Sequence, residues 1–424
     1  MREQARKEST RESSYKVAGI DVHKAMLAVV TADAAEVGEF HFERRRFGAA
    51  PSDLKALAEW LTSQGVREAV MESTAQYWKP VWQELEGKCE LHLAQAHSNR
   101  APRGRKRDFA DAERLVRRHV AGELILSFVP DPQQRLWRTM TRTKHQLTRD
   151  RVRLHSQLEA FLEDAHIKLS GCLSDLLGVS GRDMLKALAA GQKDAAAIAR
   201  LAQPEVKATQ AQLCDALSAA AGLSDLRRQI LRLFLQRLEL IESQMETLNQ
   251  AIAGELREHE DAVRRLAEVP GFGADSAQQV IAEVGPKAAA FPSPGQLSSW
   301  VGSCPGREES AQVSKSNRSP KGNRPMRRVL DQVANAAVKT KGSVFEALYR
   351  RLVGRLGHHK TIWAIANRLC RLAWKILHQG VTYEERGFRP NPKAVRQRAA
   401  KLTKALRNLG YNVQIIPSHS GASA

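Results

Sequence analysis

The sequence predicts an α/β domain followed by a mostly helical remainder, and two patterns along its 424 residues carry that prediction. Between Lys16 and Val120, short runs rich in Val and Ile alternate with amphipathic helical text. Beyond Pro130 and Pro132 the period changes: Met140, Leu147, Leu154 and Phe161 recur every seven residues in a strongly charged background. At roughly 100 to 200 residues per domain, a chain of this length holds two or three, each able to bury a core of its own.

The first 14 residues are polar and charged and are expected to be disordered, without the apolar stretch of a signal peptide. From Lys16, the text KVAGIDVHKAMLAVVTADAAEVGEFHFERRRF predicts three successive strands with turns near His23 and near Ala34 to Val37. A helix around Asp53 to Ser63, a strand ending at Ala69-Val70-Met71, a helix around Trp78 to Leu85, a strand over Leu91 to Ala94 and a helix from Asp108 to about Val120 complete a domain over 15–130.

A helical, coiled-coil region is expected over 131–262. After the first seam comes a looser Ala-rich stretch, and then Leu231, Phe234, Leu238, Ile241, Met245, Leu248 and Ile252 alternate three and four residues apart. Heptads alone do not fix the partner, so the two seams could pair with each other, across subunits, or as ordinary stripes of a bundle. The region 263–382 opens on Val269-Pro270-Gly271-Phe272-Gly273, a helix-hairpin-helix-like turn whose glycine amides could approach a phosphate, and continues as helices over Ala274 to Val284, Met326 to Lys341 and Thr361 to His378. A basic tail, 383–424, reads as a helix and a Ser/Gly/Ala-rich end.

Sixty-six Lys and Arg against 46 Asp and Glu give a formal charge of +20, the footprint of a polyanion partner, nucleic acid foremost. The charge sits in short clusters within amphipathic text, Arg44 to Arg46 and Arg103 to Arg107 among them, which favours defined sites over a floppy basic arm. Five scattered cysteines without a Cys-x-x-Cys pair suggest neither a disulfide framework nor a zinc ribbon, and fit a reducing, cytoplasmic setting. No apolar run is long enough for a membrane span.

Chemistry concentrates in four carboxylates. Asp21 closes the apolar strand Val17-Ala18-Gly19-Ile20 and Glu72 closes Val70-Met71, so both sit where buried strands reach a sheet edge. Asp108 and Asp111, three apart at a helix start, share one face, and Asp108 doubles as a candidate N-cap. Hard cations such as Mg²⁺ or Mn²⁺ take oxygen ligands and bridge carboxylates to substrate phosphate. Taken singly, each residue could be a turn former or a cap; together, bordered by Arg103, Arg105, Lys106 and Arg107, they predict a metal site beside a phosphate. Downstream, Ser310, Ser314, Ser316 and Ser319 lie among Lys315, Arg318, Lys321, Arg327 and Arg328, cations able to stabilise a serine alkoxide or the charge of a phosphoryl transition state, or simply to hold a DNA backbone. Residue type alone leaves all four serines open as nucleophiles.

The segments GIDVHK, MESTAQYW and GRKRDFADAERL, which contain Asp21, Glu72, Asp108 and Asp111, resemble the DEDD transposases of insertion sequences; VPGFGADSA, WVGSCPGREESAQ and SPKGNRPMRRVL look like the C-terminal transposase domain of the same family. That resemblance covers nearly the whole chain in the right order. It implies a RuvC-like first domain with the RNase H fold, a metal-dependent DNA recombinase, an oligomeric catalytic unit (a homodimer or homotetramer) whose two domains can meet across subunits, and guidance by a noncoding RNA of the element. The family's serine lies in a stretch of Pro, a few polar residues, Ser and Gly; Pro305-Gly306-Arg307-Glu308-Glu309-Ser310-Ala311 matches it and implies Ser310 as nucleophile, departing where Ala311 and Gln312 stand in place of the common glycine. A Holliday-junction type nuclease would use the same quartet with water as nucleophile and no serine step. A noncatalytic nucleic-acid-binding protein of the same fold would not need the full quartet, which is intact here.

Overall fold

The computed structural model describes residues 15–34, 40–73, 75–96, 98–99, 107–306, 308–310, 313–316, 319–385, 392–408 and 412–414. It divides into two compact units, Met1–Pro130 and Asp131–Ala424. The expected disorder of 1–14 and the side chains of Arg103, Arg105, Lys106 and Arg318 lie outside the described residues.

In the first unit, strands β1 (Lys16–Val22), β2 (Met26–Asp33), β3 (Glu43–Gly48), β4 (Val66–Glu72) and β5 (Glu90–Ala94) form one sheet in the order β3-β2-β1-β4-β5. The β1–β2 and β2–β3 pairs are antiparallel, and β4 and β5 run parallel to β1 through the crossover helices α1 (Pro51–Ser63) and α2 (Trp78–Leu85). This mixed sheet fits an RNase H-like domain. Both faces of β1 are covered, which explains why its text is apolar without alternation. Ala18, Ile20 and Val22 pack with Leu54, Leu57 and Leu61 of α1 on one face, while Val17 packs with Ala112 and Val116 of α3 (Asp108–Val120) on the other. The same division runs through β4: Ala69 and Met71 join the first core, and Val70 meets Leu115 of α3. By the two-residue period of a strand, Gly19 and Asp21 on β1, and Glu68 and Glu72 on β4, lie on the α3 face.

The second unit is helical apart from one short hairpin. Helix α4 (Pro132–Asp164, 33 residues) packs against α8 (Asp225–Glu255, 31 residues), with α5 (Val179–Ala190), α6 (Ala195–Ala199) and α7 (Gln210–Ala216) beside them. Of the seven-residue series, Leu154 is fully buried and Leu147 and Phe161 partly so; the buried stripe on α4 runs Leu154, Leu158, Leu162, at a spacing of four. Its partners on α8 are Leu231, Leu235, Leu238 and Ile241. Part of each seam is thus core within the chain.

The C-terminal part comprises α9 (Glu260–Ala267), α10 (Ala274–Val284), α11 (Pro294–Val301), the hairpin β6 (Glu308–Ser310) and β7 (Val313–Ser316), α12 (Arg324–Ala337), α13 (Val344–Leu356), α14 (His358–Gln379) and the basic α15 (Pro392–Asn408). At the α9–α10 turn Gly271 has φ +88°, and a Cβ there would sit 2.3 Å from Val333 O and 2.6 Å from Ala337 N. That glycine is required by the close approach of α12. A buried charge ties α4, α10 and α12 together: Glu283, 2% exposed, accepts from Arg142 Nε and Nη2 at 2.8 and 2.9 Å and from Asn323 Nδ2 at 3.0 Å, with Arg138 Nε 3.4 Å away. Among the described residues, no helix is long and apolar enough to cross a membrane.

Candidate active site

The parallel register of β1 and β4 pairs Ile20 with Met71, so Asp21, next to last in β1, and Glu72, last in β4, lie side by side at the same sheet edge; β1 runs one residue past Asp21, to Val22, because Val22 still pairs with Leu27 of β2. Helix α3 lies directly over this edge, because residue 19 is glycine. A Cβ at Gly19 would sit 2.3 Å from Ala112 O and 2.8 Å from Val116 Cγ2. Any larger residue would therefore lift the helix that carries Asp108 and Asp111. Gly19→Ala is expected to cost ~1–3 kcal/mol of stability through overpacking, measured by urea unfolding, and to reduce DNA cleavage by more than that loss explains, because the carboxylates separate.

Asp21, Asp108 and Asp111 face one another. The Asp21 carboxyl is pushed above its ordinary value chiefly by burial and further by the charges of Asp111 and Asp108, with His23 opposing the shift. His23 Nε2 stands 3.1 Å from Asp21 Oδ2 and 3.7 Å from Asp108 Oδ1. Asp108 is the first residue of α3 rather than its cap; the N-cap is Arg107, whose side chain makes no capping bond. A capping aspartate would turn its oxygens onto the helix amides; at the first helical position the Asp108 carboxylate instead faces His23 and the neighbouring cleft.

Glu72 and Asp111 are joined by a frame of side chains. Asn99 Nδ2 donates to Glu72 Oε2 at 3.0 Å, Arg114 Nη1 donates to Asn99 O at 3.4 Å, and Arg114 Nη2 donates to Asp111 Oδ1 at 2.6 Å. Asn99 is 3% exposed and its Oδ1 is buried without a hydrogen-bond partner. A cleft beside Asp108 is lined by Arg44, Arg46, Arg107 and Phe109, with Arg46 over the Phe109 ring at 5.3 Å and Arg44 Nε 2.7 Å from Glu113. Partly buried carboxylates with unbalanced charge, next to arginines open to solvent, suit a divalent cation held against a phosphate. The donors fit Mg²⁺ or Mn²⁺, being carboxylate oxygens with one neighbouring imidazole.

His23, Asn99 and Arg114 carried no signal in the sequence reading, because each acts through a partner that folding supplies. Arg44 and Arg46 were visible only as a charge cluster, and their position on β3 beside α3 could not be read from spacing.

In the second unit, Ser310 ends β6 and pairs with Val313, while Ser314 and Ser316 lie on β7 and Ser319 is exposed. Lys315 is on β7 and Lys321 is exposed. The base of this segment is closed by Asn323 N donating to Trp300 O at 3.2 Å and by Arg327, which donates to Gly302 O and to Pro320 O and lies over the Trp363 ring at 4.2 Å. Arg328 donates to Gln279 Oε1 at 2.6 Å. A groove near it is lined by Lys144, His145, Arg149, Arg153 and Asp275, a basic surface along α4.

Two family models match the sequence. One, for a transposase of the DEDD, IS110 type, covers residues 18–167; the other, described as the transposase IS116/IS110/IS902 family, covers residues 263–350. No curated protein matches the chain.

Proposed function

The chain belongs to the DEDD transposases of the IS116/IS110/IS902 family and is a DNA transposase or recombinase, and from that premise we propose that it cuts and rejoins strands with the acidic quartet and Ser310 together. The observation that carries the proposal is the meeting of Asp21 on β1 with Asp108 and Asp111 of α3, with Glu72 closing the adjacent strand.

In this reading Asp21, Glu72, Asp108 and Asp111 hold Mg²⁺ or Mn²⁺, which would draw charge from the phosphate oxygens as the bond order at phosphorus changes. Arg107, with Arg44 and Arg46, positions the phosphate, as do Arg103, Arg105 and Lys106 just ahead of α3. Ser310 Oγ attacks phosphorus, losing its proton; an O–P bond to serine forms as the bond to a strand oxygen breaks, and that oxygen leaves as a hydroxyl. The phosphoserine ester conserves the phosphodiester energy, so a strand hydroxyl can later reverse the step and restore Ser310. Lys315, Arg318 and Lys321 neutralise the transition-state charge, while Arg327 and Arg328 shape the segment that presents the serine. The catalytic unit is a homodimer or homotetramer, and an element-encoded noncoding RNA selects donor and target.

The test is recombination of a plasmid bearing the element ends by the full-length protein, with and without the structured RNA transcribed beside its gene. Recombinant product is expected only with RNA and a divalent cation, and to vanish in EDTA. Equal product without the RNA would refute guidance, and product in EDTA would refute the metal.

A further inference from the structure

At the opposite end of the same sheet face, a second cluster is built from different donors. Glu68 on β4, His92 on β5 and His119 in the last turn of α3 turn their side chains toward one point. His119 Nε2 lies 2.7 Å and His92 Nε2 3.4 Å from the same oxygen, Glu68 Oε2, and the imidazole centroids are 4.4 Å apart. The three side chains are 12–19% exposed, and His92 Nε2 is buried, reaching Glu68 Oε2 only at 3.4 Å and without the geometry of a well-formed hydrogen bond. Glu90, two residues before His92 on the same face of β5, brings Oε1 to 3.7 Å from His92 Nε2 and borders the exposed side. Burial and the Glu68 charge together hold the neighbouring Tyr15 hydroxyl above its ordinary pKa.

An imidazole nitrogen that is buried and unbonded is costly, and two imidazoles crowded on one carboxylate oxygen cannot both be satisfied with good geometry. A cation between them would resolve both. Tetrahedral ligands with bonds of ~2.0–2.1 Å stand ~3.3 Å apart; the His92–Glu68 spacing of 3.4 Å matches this, and the 2.7 Å between His119 and Glu68 needs only a small opening. Two imidazoles and a carboxylate select a borderline transition metal over Mg²⁺.

We propose that Glu68, His92 and His119 form a second metal site, for Zn²⁺ or a similar divalent transition ion, separate from the acidic quartet. Glu68 pairs with Val17 and stands four residues before Glu72 on β4, ~13 Å along the strand, too far for the ~4 Å spacing of a two-metal catalytic pair. The ion fastens the C-terminal end of α3 to β4 and β5, and so steadies the helix whose other end carries Asp108 and Asp111. The site is a positioning device for the quartet, and it does not depend on the quartet's proposed chemistry.

The test uses the full-length protein with Asp21→Asn and His23→Ala, which removes the imidazole at the quartet, titrated with Co²⁺. One equivalent is expected to bind with visible d–d absorption, to resist excess Mg²⁺ and to raise the thermal midpoint. Adding His92→Ala or His119→Ala is expected to weaken binding at least ~100-fold. Absence of a stoichiometric cobalt spectrum, displacement by Mg²⁺, or binding unchanged by both histidine substitutions would overturn the proposal. X-ray absorption of the Co²⁺-loaded Asp21→Asn, His23→Ala protein tests it without the histidine variants: two imidazoles in the ligand shell are expected, and none would overturn it.

Discussion

Asp21→Asn and Asp108→Asn are each expected to reduce strand cleavage and recombination by at least ~10³-fold, while affinity for DNA stays within a few-fold. The argument is electrostatic. Asp21 is held above its ordinary pKa by burial and by two like-charged neighbours, a cost that only a cation repays when the carboxylate is ionised. An amide keeps the shape and removes the charge, so cation affinity falls without a packing defect. DNA affinity is expected to rest on the basic side chains, Arg44, Arg46 and Arg107 beside Asp108 among them, which both substitutions leave in place.

A stability measurement separates this account from simple damage. Because Asp21 ionises at a higher pH folded than unfolded, the unfolded state binds fewer protons over the interval between the two values. Stability of the metal-free protein therefore falls as pH rises from the ordinary carboxylate range through the raised pKa of Asp21. Asp21→Asn abolishes that fall and raises the metal-free thermal midpoint at neutral pH, by about 2–4 °C for each kcal/mol relieved in a domain of ordinary size. Mg²⁺ raises the midpoint of the native chain and not of the variant. A variant that is both inactive and less stable than the native metal-free protein would mean the aspartate serves the fold instead.

The first domain was legible because its local and tertiary signals agree. Apolar strands, turn residues and amphipathic helices fall in RNase H-like order, and the buried strands β1 and β4 each carry a carboxylate at or next to their last residue, Asp21 and Glu72. What could not be read were features decided by two distant segments at once. Gly19 looked like one small residue in an apolar strand until α3 was seen to rest on its backbone. His92 and His119 sit 27 positions apart and show no motif spacing; they meet because β5 lies beside β4 and α3 packs on the same sheet face. In the helical unit, the seven-residue period marked α4 as a long helix but overstated the seam: Met140 is only half-buried, and the packing follows Leu154, Leu158 and Leu162, because α4 contacts α8 over part of its length and α10 over another. The stretch around Glu283 gave no hint that its charge would be buried, since the three residues that satisfy it come from α4 and from the cap of α12.

Ser310→Ala is expected to abolish strand exchange, with recombinant product falling by at least ~10³-fold, and to eliminate any covalent protein–DNA adduct recovered after denaturation. Ser310 ends a three-residue hairpin strand and alanine removes a single oxygen, so a change in the thermal midpoint beyond ~1–2 °C is not expected. The same substitution at Ser314, Ser316 or Ser319 should leave both readouts within a few-fold, because those hydroxyls lie further along the segment from the position that matches the family's serine. Loss of the adduct in one of these instead would move the nucleophile within the hairpin and leave the acidic site unchanged. Retention of cleavage with loss of rejoining in Ser310→Ala has a different meaning. Water would then be the attacking group, as in a junction-resolving nuclease, and the bond energy would be released to solvent rather than stored on the protein. The two chemistries part at that point, since a covalent phosphoserine keeps the phosphodiester bond energy for rejoining and hydrolysis does not.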